Sequence, residues 1–489
     1  MPIGLHLAPD RELKVFAEGR AILGGSPLRL ARLRPRAARV VESWLEGAPV
    51  DYRRADRALA GRLVAAGILH PRPSPVTAAG LVTIVVPVRD RPSLLASLLA
   101  SLGPTPCIVV DDASMRADEI EKVARDAGAE YIALSEHRGP AAARNAGAAA
   151  VSTPLIAFVD SDCQVPEHWL DQLCGHFGDP RVAAVAPRVV TPPGHGRLMR
   201  YESSRSPLDL GEDEGLVAPG SRVPYVPAAA IVLRRAALEE RPFDEALHAG
   251  EDVDLIWGLH RAGWQIRYVP SVVVDHASDV RPLRFIGRRF RDGSSAAPLA
   301  RRHPAAAAPA RVSPVTAVVL GLLVARRPGA AAVVCGGVCL RLGRHLGSRT
   351  ENPMAKATSW GVACTARSVL GALRGLARAW SPVLWICCLT RHCGRWRVWA
   401  AAALLISATR GLRARNGLGS SSYLAASLAD DLAYGTGVWV GAWRERMVRP
   451  LMPRVALPAR VSRGIKGLLG ALGSLRSSRQ GRQRRTSGP

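Results

Sequence analysis

The chemistry of this 489-residue chain is concentrated in carboxylates that stand at the ends of apolar runs. Leu155 to Val159 is followed by Asp160-Ser161-Asp162, Val82 to Val88 by Arg89-Asp90, and Ile108 to Val110 by Asp111-Asp112. A further pair, Glu251-Asp252, opens a helical stretch. Alone, an Asp-x-Asp is ordinary turn composition. Several carboxylates gathered in one place repel each other, and the simplest relief is a hard divalent cation together with a positively charged or hydrogen-bonding ligand. Mg2+ or Mn2+ binds a few carboxylates and keeps positions open for phosphate oxygens, so the pattern implies a nucleoside diphosphate compound.

Whether those carboxylates meet depends on the elements that carry them. Residues 81–91 read as a continuous apolar strand suited to a sheet covered on both faces. A helix follows from Pro92 to Leu102, with Leu94, Leu95, Leu98, Leu99 and Leu102 at core-facing spacing. Strand 107–110, helix 118–127, strand 130–134, an Ala-rich helix after Gly139 and strand 155–159 continue the alternation. Such alternation predicts an α/β fold with a mostly parallel, right-handedly connected sheet and helices on both faces. Strand carboxyl ends then lie on one edge, where Asp90, Asp111, Asp112, Asp160 and Asp162 converge. No Gly-x-Gly-x-x-Gly follows the first strand and no Gly-Lys-Ser/Thr loop occurs, which disfavours dinucleotide and P-loop sites. Residues 192–222, rich in Gly, Pro, Ser and acid, read as a long loop. A buried segment at 225–233, a helix with Leu255, Ile256 and Leu259 inward, and a strand at 269–274 ending in Asp275-His276 complete the pattern.

Five motifs in order resemble those of family 2 glycosyltransferases: Val86-Pro87-Val88-Arg89-Asp90-Arg91, Val109-Val110-Asp111-Asp112-Ala113-Ser114, Arg144-Asn145-Ala146-Gly147, Phe158-Val159-Asp160-Ser161-Asp162, and Phe243-Asp244-Glu245 with Gly250-Glu251-Asp252-Val253-Asp254. The resemblance covers residues 82–293 and implies the GT-A (nucleotide-diphospho-sugar transferase) fold and an inverting transfer of sugar from a UDP-sugar. It further implies that Pro87, Asp90 and Asp112, with Asp111 as an extra contact, surround the nucleoside, and that Arg144 approaches the diphosphate. Asp162 would be the principal metal ligand, Asp160 would sit beside ribose and metal, and His276 would complete the metal shell. Asp252, with Glu251 beside it, resembles the catalytic base; at a helix start the dipole is expected to hold it ionised, so that it accepts a proton only weakly. Processive relatives carry a Gln-x-x-Arg-Trp motif where this chain has Arg288-x-x-Arg291-Asp292, and chain extension by that route is not expected. Arg288 and Arg291 read as pyrophosphate or lipid head-group contacts, or else as a basic helix surface. Pro227-Ala228-Ala229-Ala230 is a second departure, where relatives carry Gly and polar residues near the acceptor.

The flanks differ in kind. Residues 1–77 contain short strands, two amphipathic helical patterns and Gly67-Ile68-Leu69, and resemble PqqD-like peptide-recognition modules; the alternative is a structural cap. Together with the transferase motifs, this implies a peptide-derived acceptor, a redox cofactor precursor decorated from UDP-glucose. A polyprenyl phosphate or cell-envelope acceptor and a non-enzymatic binding protein are the rival readings.

Residues 1–293 hold 36 Lys/Arg and 36 Asp/Glu, whereas residues 294–489 hold 30 and 4, so the whole net charge of +26 lies in the second part. There the arginines alternate with apolar runs, which argues against nucleic acid and for an anionic membrane surface. The runs at 312–325, 330–340, 383–389 and 399–406 are shorter than the roughly 20 residues of a spanning helix. Interfacial or re-entrant helices over 294–475, with Trp380, Trp385, Trp396 and Trp399 as an interfacial belt, are expected, a packed helical domain being the alternative. A cell-membrane location with residues 81–293 on the cytoplasmic side follows, and residues 476–489 read as a disordered basic tail. Nine cysteines without paired Cys-x-x-Cys spacing fit a reducing compartment.

Overall fold

The computed structural model of the chain describes residues 2–16, 19–346, 352–412 and 416–455; the expected tail at 476–489 lies outside the described residues. By internal contacts the chain divides into one unit of residues 1–308 and 377–451 and another of residues 309–376 and 452–489.

The first unit begins with β1 (His6–Pro9), the antiparallel sheet β2 (Lys14–Phe16), β3 (Ala21–Gly24) and β4 (Arg29–Arg32), helices α1 (Pro35–Leu45) and α2 (Arg54–Ala65), and β5 (Leu69–Arg72), which pairs with β1. Ala38, Val41 and Trp44 recur every third residue on α1 and face Ile22, Leu63 and Ile68 in a core of their own.

The alternation that follows is as expected: β6 (Val82–Val88), α3 (Pro92–Ser101), β7 (Cys107–Asp111), α4 (Ala117–Asp126), β8 (Glu130–Ala133), α5 (Pro140–Ala150) and β9 (Leu155–Val159). All seven residues of β6 are buried, as its unbroken apolar run requires. Next come β10 (Cys163–Gln164), α6 (Trp169–Cys174), β11 (Val182–Val190), α7 (Arg197–Arg205), β12 (Gly215–Leu216), β13 (Ala230–Arg234), α8 (Glu251–Arg261), β14 (Gln265–His276), α9 (Pro282–Ser294) and α10 (Ala296–Arg302).

The sheet order is β10-β14-β11-β13-β9-β6-β7-β8, with β12 on β14. β6, β7, β8, β9, β11 and β14 run one way, and β13 runs against its neighbours β9 and β11. The fold is α/β with a mostly parallel sheet, as expected. Gly147 of α5 shows how closely helix and sheet pack: a Cβ there would lie 2.3 Å from Val85 Cγ1.

Two expectations are corrected here. The first concerns the long loop at 192–222, which contains α7. Its polar composition hid a helix whose Tyr201 and Glu202 are buried, because their polar atoms find partners, Asp430 for the Tyr201 hydroxyl and Arg289 for Glu202. The second concerns the cell membrane. Among the described residues no helix is long and apolar enough to cross a membrane, and the expected membrane location is overturned on that finding.

The apolar runs read as membrane-seeking stay partly open, with Val324, Val333 and Leu389 exposed, while some of the tail's aromatic and small residues meet protein. Within the first unit, α14 (Ser381–Leu389), α15 (Trp396–Ala408) and α16 (Ser420–Arg444) lie C-terminal to the elements of the large sheet. Trp380 packs edge-on against Trp439 at 5.1 Å and donates to the Leu451 carbonyl at 2.8 Å, while Trp396 and Trp399 stay largely exposed. The glycines of α16 meet α9: a Cβ on Gly437 would lie 2.1 Å from Phe290 O, and one on Gly441 2.5 Å from Ser294 O. At the same contact Asp430 accepts from Arg289 at 3.1 Å and from Arg378 at 2.9 Å, and Asp431 from Arg205 at 3.0 Å.

The second unit holds β15 (Arg311–Val312), α11 (Pro314–Val324), α12 (Pro328–Leu346), most of α13 (Pro353–Ala379) and β16 (Arg454–Val455), which pairs in parallel with β15. Ala310, Val312 and Ala372 are its small buried cluster.

Gly437→Val should destabilise the first unit by about 1–3 kcal/mol, because the added side chain meets α9 backbone rather than a movable side chain. Chemical denaturation checks this; an unchanged midpoint would remove α16 as the support of α9.

Candidate active site

On the edge where β6, β7, β9 and β14 end, each strand delivers a polar residue. Three of the expected carboxylates tie the loops of that edge together. Asp90 takes left-handed backbone geometry just after β6, and its Oδ1 accepts from the Met115 N–H at 2.7 Å. Asp112 accepts from the Arg138 and Gly139 N–H groups at 2.8 and 2.9 Å, which fixes the entry to α5, and stands 2.7 Å from His137 Nδ1. Asp111 is only 1% exposed and accepts from the Ser114 N–H and hydroxyl and, at 3.0 Å, from the Tyr131 hydroxyl. It anchors its loop from behind the edge, which departs from the extra nucleoside contact expected of it. Pro87 is likewise buried, opposite Val110 of β7, where it shapes the strand end.

Behind the edge lies a buried cation. Arg144, carried by α5, donates to Asp160 Oδ1 at 2.8 Å and to Glu251 Oε1 at 2.9 Å, and its guanidinium lies 5.4 Å from the Phe243 ring centre. Burial alone would lower its pKa, but the charges of Asp160 and Glu251 outweigh that and hold it charged. The next residue, Asn145, exchanges hydrogen bonds with the Phe243 backbone at 2.8 and 3.0 Å and donates to Glu245 at 3.0 Å. The loop before α8 is thereby clipped to α5.

In front of Arg144 stand Asp160, Asp162 and His276. Each offers one ligand atom, and the three atoms lie within 4.8 Å of one another. His276 ends β14, and its Nε2 lies 3.3 Å from Asp162 Oδ1. The short antiparallel pairing of β10 with β14 sets Cys163 opposite His276, which is why a residue more than a hundred positions later reaches the Asp-x-Asp. Two carboxylates and an imidazole are a donor set that fits a divalent cation.

Asp252 lies at the start of α8, after the left-handed Gly250. Its carboxylate accepts from its neighbour Val253 at 2.7 Å and from the Ala228 N–H at 3.4 Å, and the Ala229 carbonyl accepts from the Asp160 N–H at 2.9 Å. The Pro227–Ala230 segment, which looked like a departure, therefore spaces Asp252 from the Asp-x-Asp through its backbone. The helix dipole does not decide the ionisation of Asp252. Burial first, and then the charge of Glu251, raise its pKa to about 7, against the opposing effects of the Val253 N–H and Arg144. The expectation of a firmly ionised, weakly basic carboxylate is corrected accordingly.

Beside Asp162 a cavity of 550 Å³ is lined by Arg91, Arg284, Arg288, Arg291, Phe290 and Asp279, among others. Arg288 donates to the Asp279 carbonyl at 3.0 Å, Arg284 pairs with the Asp279 carboxylate at 2.6 Å, and Arg291 is exposed. Arg91, Asn145 and Arg284 had no role in the sequence reading. Arg91 and Asn145 lay inside recognised motifs and were legible; Arg284 sits in no periodic pattern that marks it.

Residues 83–241 match the family described as Glycosyl transferase family 2. The chain is 38% identical over 470 residues, 93% of its length and 98% of theirs, to the Pre-mycofactocin glycosyltransferase of two strains of Mycobacterium tuberculosis, CDC 1551 / Oshkosh and ATCC 25618 / H37Rv. Among solved structures, a mannosyltransferase from Pyrobaculum calidifontis in complex with GDP-Man and Mn2+ aligns over 68% of this chain and 86% of its own, at 16% identity and a TM-score of 0.35.

Arg144→Gln leaves Asp160 and Glu251 without their shared cation. The expected cost is on the order of 3 kcal/mol, read from denaturant unfolding, with a larger effect than Arg138→Gln, whose pairing with Glu245 is more exposed. Equal effects of the two substitutions would show that Arg144 is not the charge that holds the edge together.

Proposed function

This chain belongs to glycosyl transferase family 2 and is a glycosyltransferase, and on that premise we propose an inverting, cation-dependent transfer of glucose from UDP-glucose to a peptide-derived acceptor of the pre-mycofactocin type. The identity of the acceptor rests on the 38% identity to Pre-mycofactocin glycosyltransferase over almost the whole of both chains. The chemistry rests on one observation above the others, the meeting of Asp160, Asp162 and His276 at one edge with Asp252, which the Ala228–Ala229 backbone links to Asp160.

An inverting transfer needs one base at the acceptor hydroxyl, opposite the leaving diphosphate, and no nucleophile from the protein. Asp252 takes the acceptor proton as the hydroxyl oxygen attacks the anomeric carbon, and the bond to the UDP oxygen breaks. A base whose pKa is raised toward the working pH is better matched to that work than an ordinary Asp. Glu251 raises that pKa by its charge, and Arg144, by holding Glu251 and Asp160, keeps the raised value from climbing further. Asp160, Asp162 and His276 hold a divalent cation, Mg2+ or Mn2+, which when bound supplies positive charge to the leaving diphosphate.

Arg291 and Arg288 face the same diphosphate from α9, in the cavity beside Asp162. Asp90 and Asp112 keep the β6 and β7 loops around the nucleoside. The small module of residues 1–77 holds the peptide portion of the acceptor.

UDP release from UDP-glucose by the full chain with Mn2+ should require the peptide-derived acceptor; release with a lipid phosphate acceptor instead would overturn the acceptor assignment. The rate at limiting substrate should rise about tenfold per pH unit below about 7 and level off above it, because the protonated form of Asp252 is inactive. A profile flat from pH 5.5 to 8 would remove Asp252 as the base. Asp252→Asn should lower turnover by a factor of at least about 10² while UDP binding in the presence of Mn2+ changes little.

A further inference from the structure

Arg91 is the residue whose placement the reaction as described does not use. It follows Asp90 directly and occupies the position that leads into α3, and its side chain leans across the edge of the sheet. Nη1 of Arg91 donates to Asp162 Oδ2, while the other oxygen of the same carboxylate faces His276 Nε2 at 3.3 Å. Asp162 is thus contacted from two sides, by a guanidinium on one oxygen and by the imidazole of the candidate cation group on the other. The two partners differ in exposure: the Arg91 side chain is 43% exposed, and that of Asp162 is 10% exposed.

Arg91 also lines the 550 Å³ cavity together with Arg284, Arg288 and Arg291. Two of these are committed to the loop before α9: Arg284 pairs with the Asp279 carboxylate, which Arg281 shares, and Arg288 donates to the Asp279 carbonyl and stands 3.5 Å from Glu202. Arg91 is held instead by a carboxylate that the cation group also uses. A guanidinium and a divalent cation on one carboxylate repel each other, so each weakens the other's hold on Asp162. A diphosphate arriving beside Asp162 presents the oxygens that a guanidinium fork binds best, in paired, charge-assisted hydrogen bonds.

Taking Asp160, Asp162 and His276 as the cation group, we propose that Arg91 is an exchangeable counter-ion of Asp162, which competes with the cation for that carboxylate and transfers its hydrogen bonds to the donor diphosphate when cation and nucleotide bind together. Arg91 is in this account a substrate-binding residue, and it couples the two ligands. Nucleotide draws Arg91 away from Asp162 and so tightens cation binding, and by reciprocity cation binding tightens nucleotide binding.

The consequence is a pair of effects with opposite signs. In Arg91→Ala, Mn2+ alone should bind about tenfold more tightly than to the unsubstituted chain, since a competing positive charge is gone, whereas UDP in saturating Mn2+ should bind about tenfold more weakly, since a charge-assisted contact is gone. Arg91→Lys keeps the charge and loses the fork; its Mn2+ affinity should stay near that of the unsubstituted chain while its UDP affinity falls. The measurements are Mn2+ titration followed by electron paramagnetic resonance and UDP titration by calorimetry, on full-length protein with an unchanged unfolding midpoint. Weaker or unchanged Mn2+ binding by Arg91→Ala, or unchanged UDP binding, overturns the exchange. Asp162→Asn separates this from the underlying reading: if it leaves Mn2+ binding intact, the cation group itself is wrong and the proposal falls with it.

Discussion

The structure depends on a constraint of charge. A mostly parallel sheet sends the ends of β6, β7, β9 and β14 to one edge, and this sequence places a carboxylate or imidazole at each. Unbalanced, such a gathering would resist folding. The balance comes from backbone N–H groups around Asp90 and Asp112 and, at the centre, from Arg144, which is buried between Asp160 and Glu251. The same guanidinium joins Asp160, of the Asp160, Asp162 and His276 group, to Glu251, the neighbour of Asp252, so that the two parts of the edge share one electrostatic anchor.

This arrangement explains how two neighbouring acids come to differ. Glu251 accepts a hydrogen bond from Arg144 at 2.9 Å. Asp252 receives backbone donors, and burial first, then the charge of Glu251, raises its pKa to about 7 against the opposing charge of Arg144. Position in the helix would predict the opposite, because a helix start favours a negative charge. Desolvation and a like charge one residue away outweigh the dipole here.

Much of this was legible in the sequence. Buried strands appear as unbroken apolar runs and the helices between them as leucine or alanine stripes, so β6 through β9 and the convergence of Asp90, Asp112, Asp160 and Asp162 follow from local pattern. What escaped depended on partners far along the chain. The helix at 197–205 is polar because its buried Glu202 and Tyr201 are satisfied by Arg289 and Asp430. The reversed direction of β13 leaves no mark in composition, yet it brings the Pro227–Ala230 backbone between Asp252 and Asp160. The tail was misread on different grounds: among the described residues none of its helices is long and apolar enough to cross a membrane, although Val324, Leu389, Val398 and other apolar residues of its runs stay exposed.

The central claim is a single displacement, with Asp252 as base on the acceptor side and the UDP oxygen leaving from the other. The configuration of the product tests it most directly. Nuclear magnetic resonance of the first glycoside formed from UDP-glucose, in which the sugar is α-linked, should show a β linkage with a large coupling between the first two ring protons. An α-linked first product would contradict the account, because a single displacement at the anomeric carbon inverts its configuration.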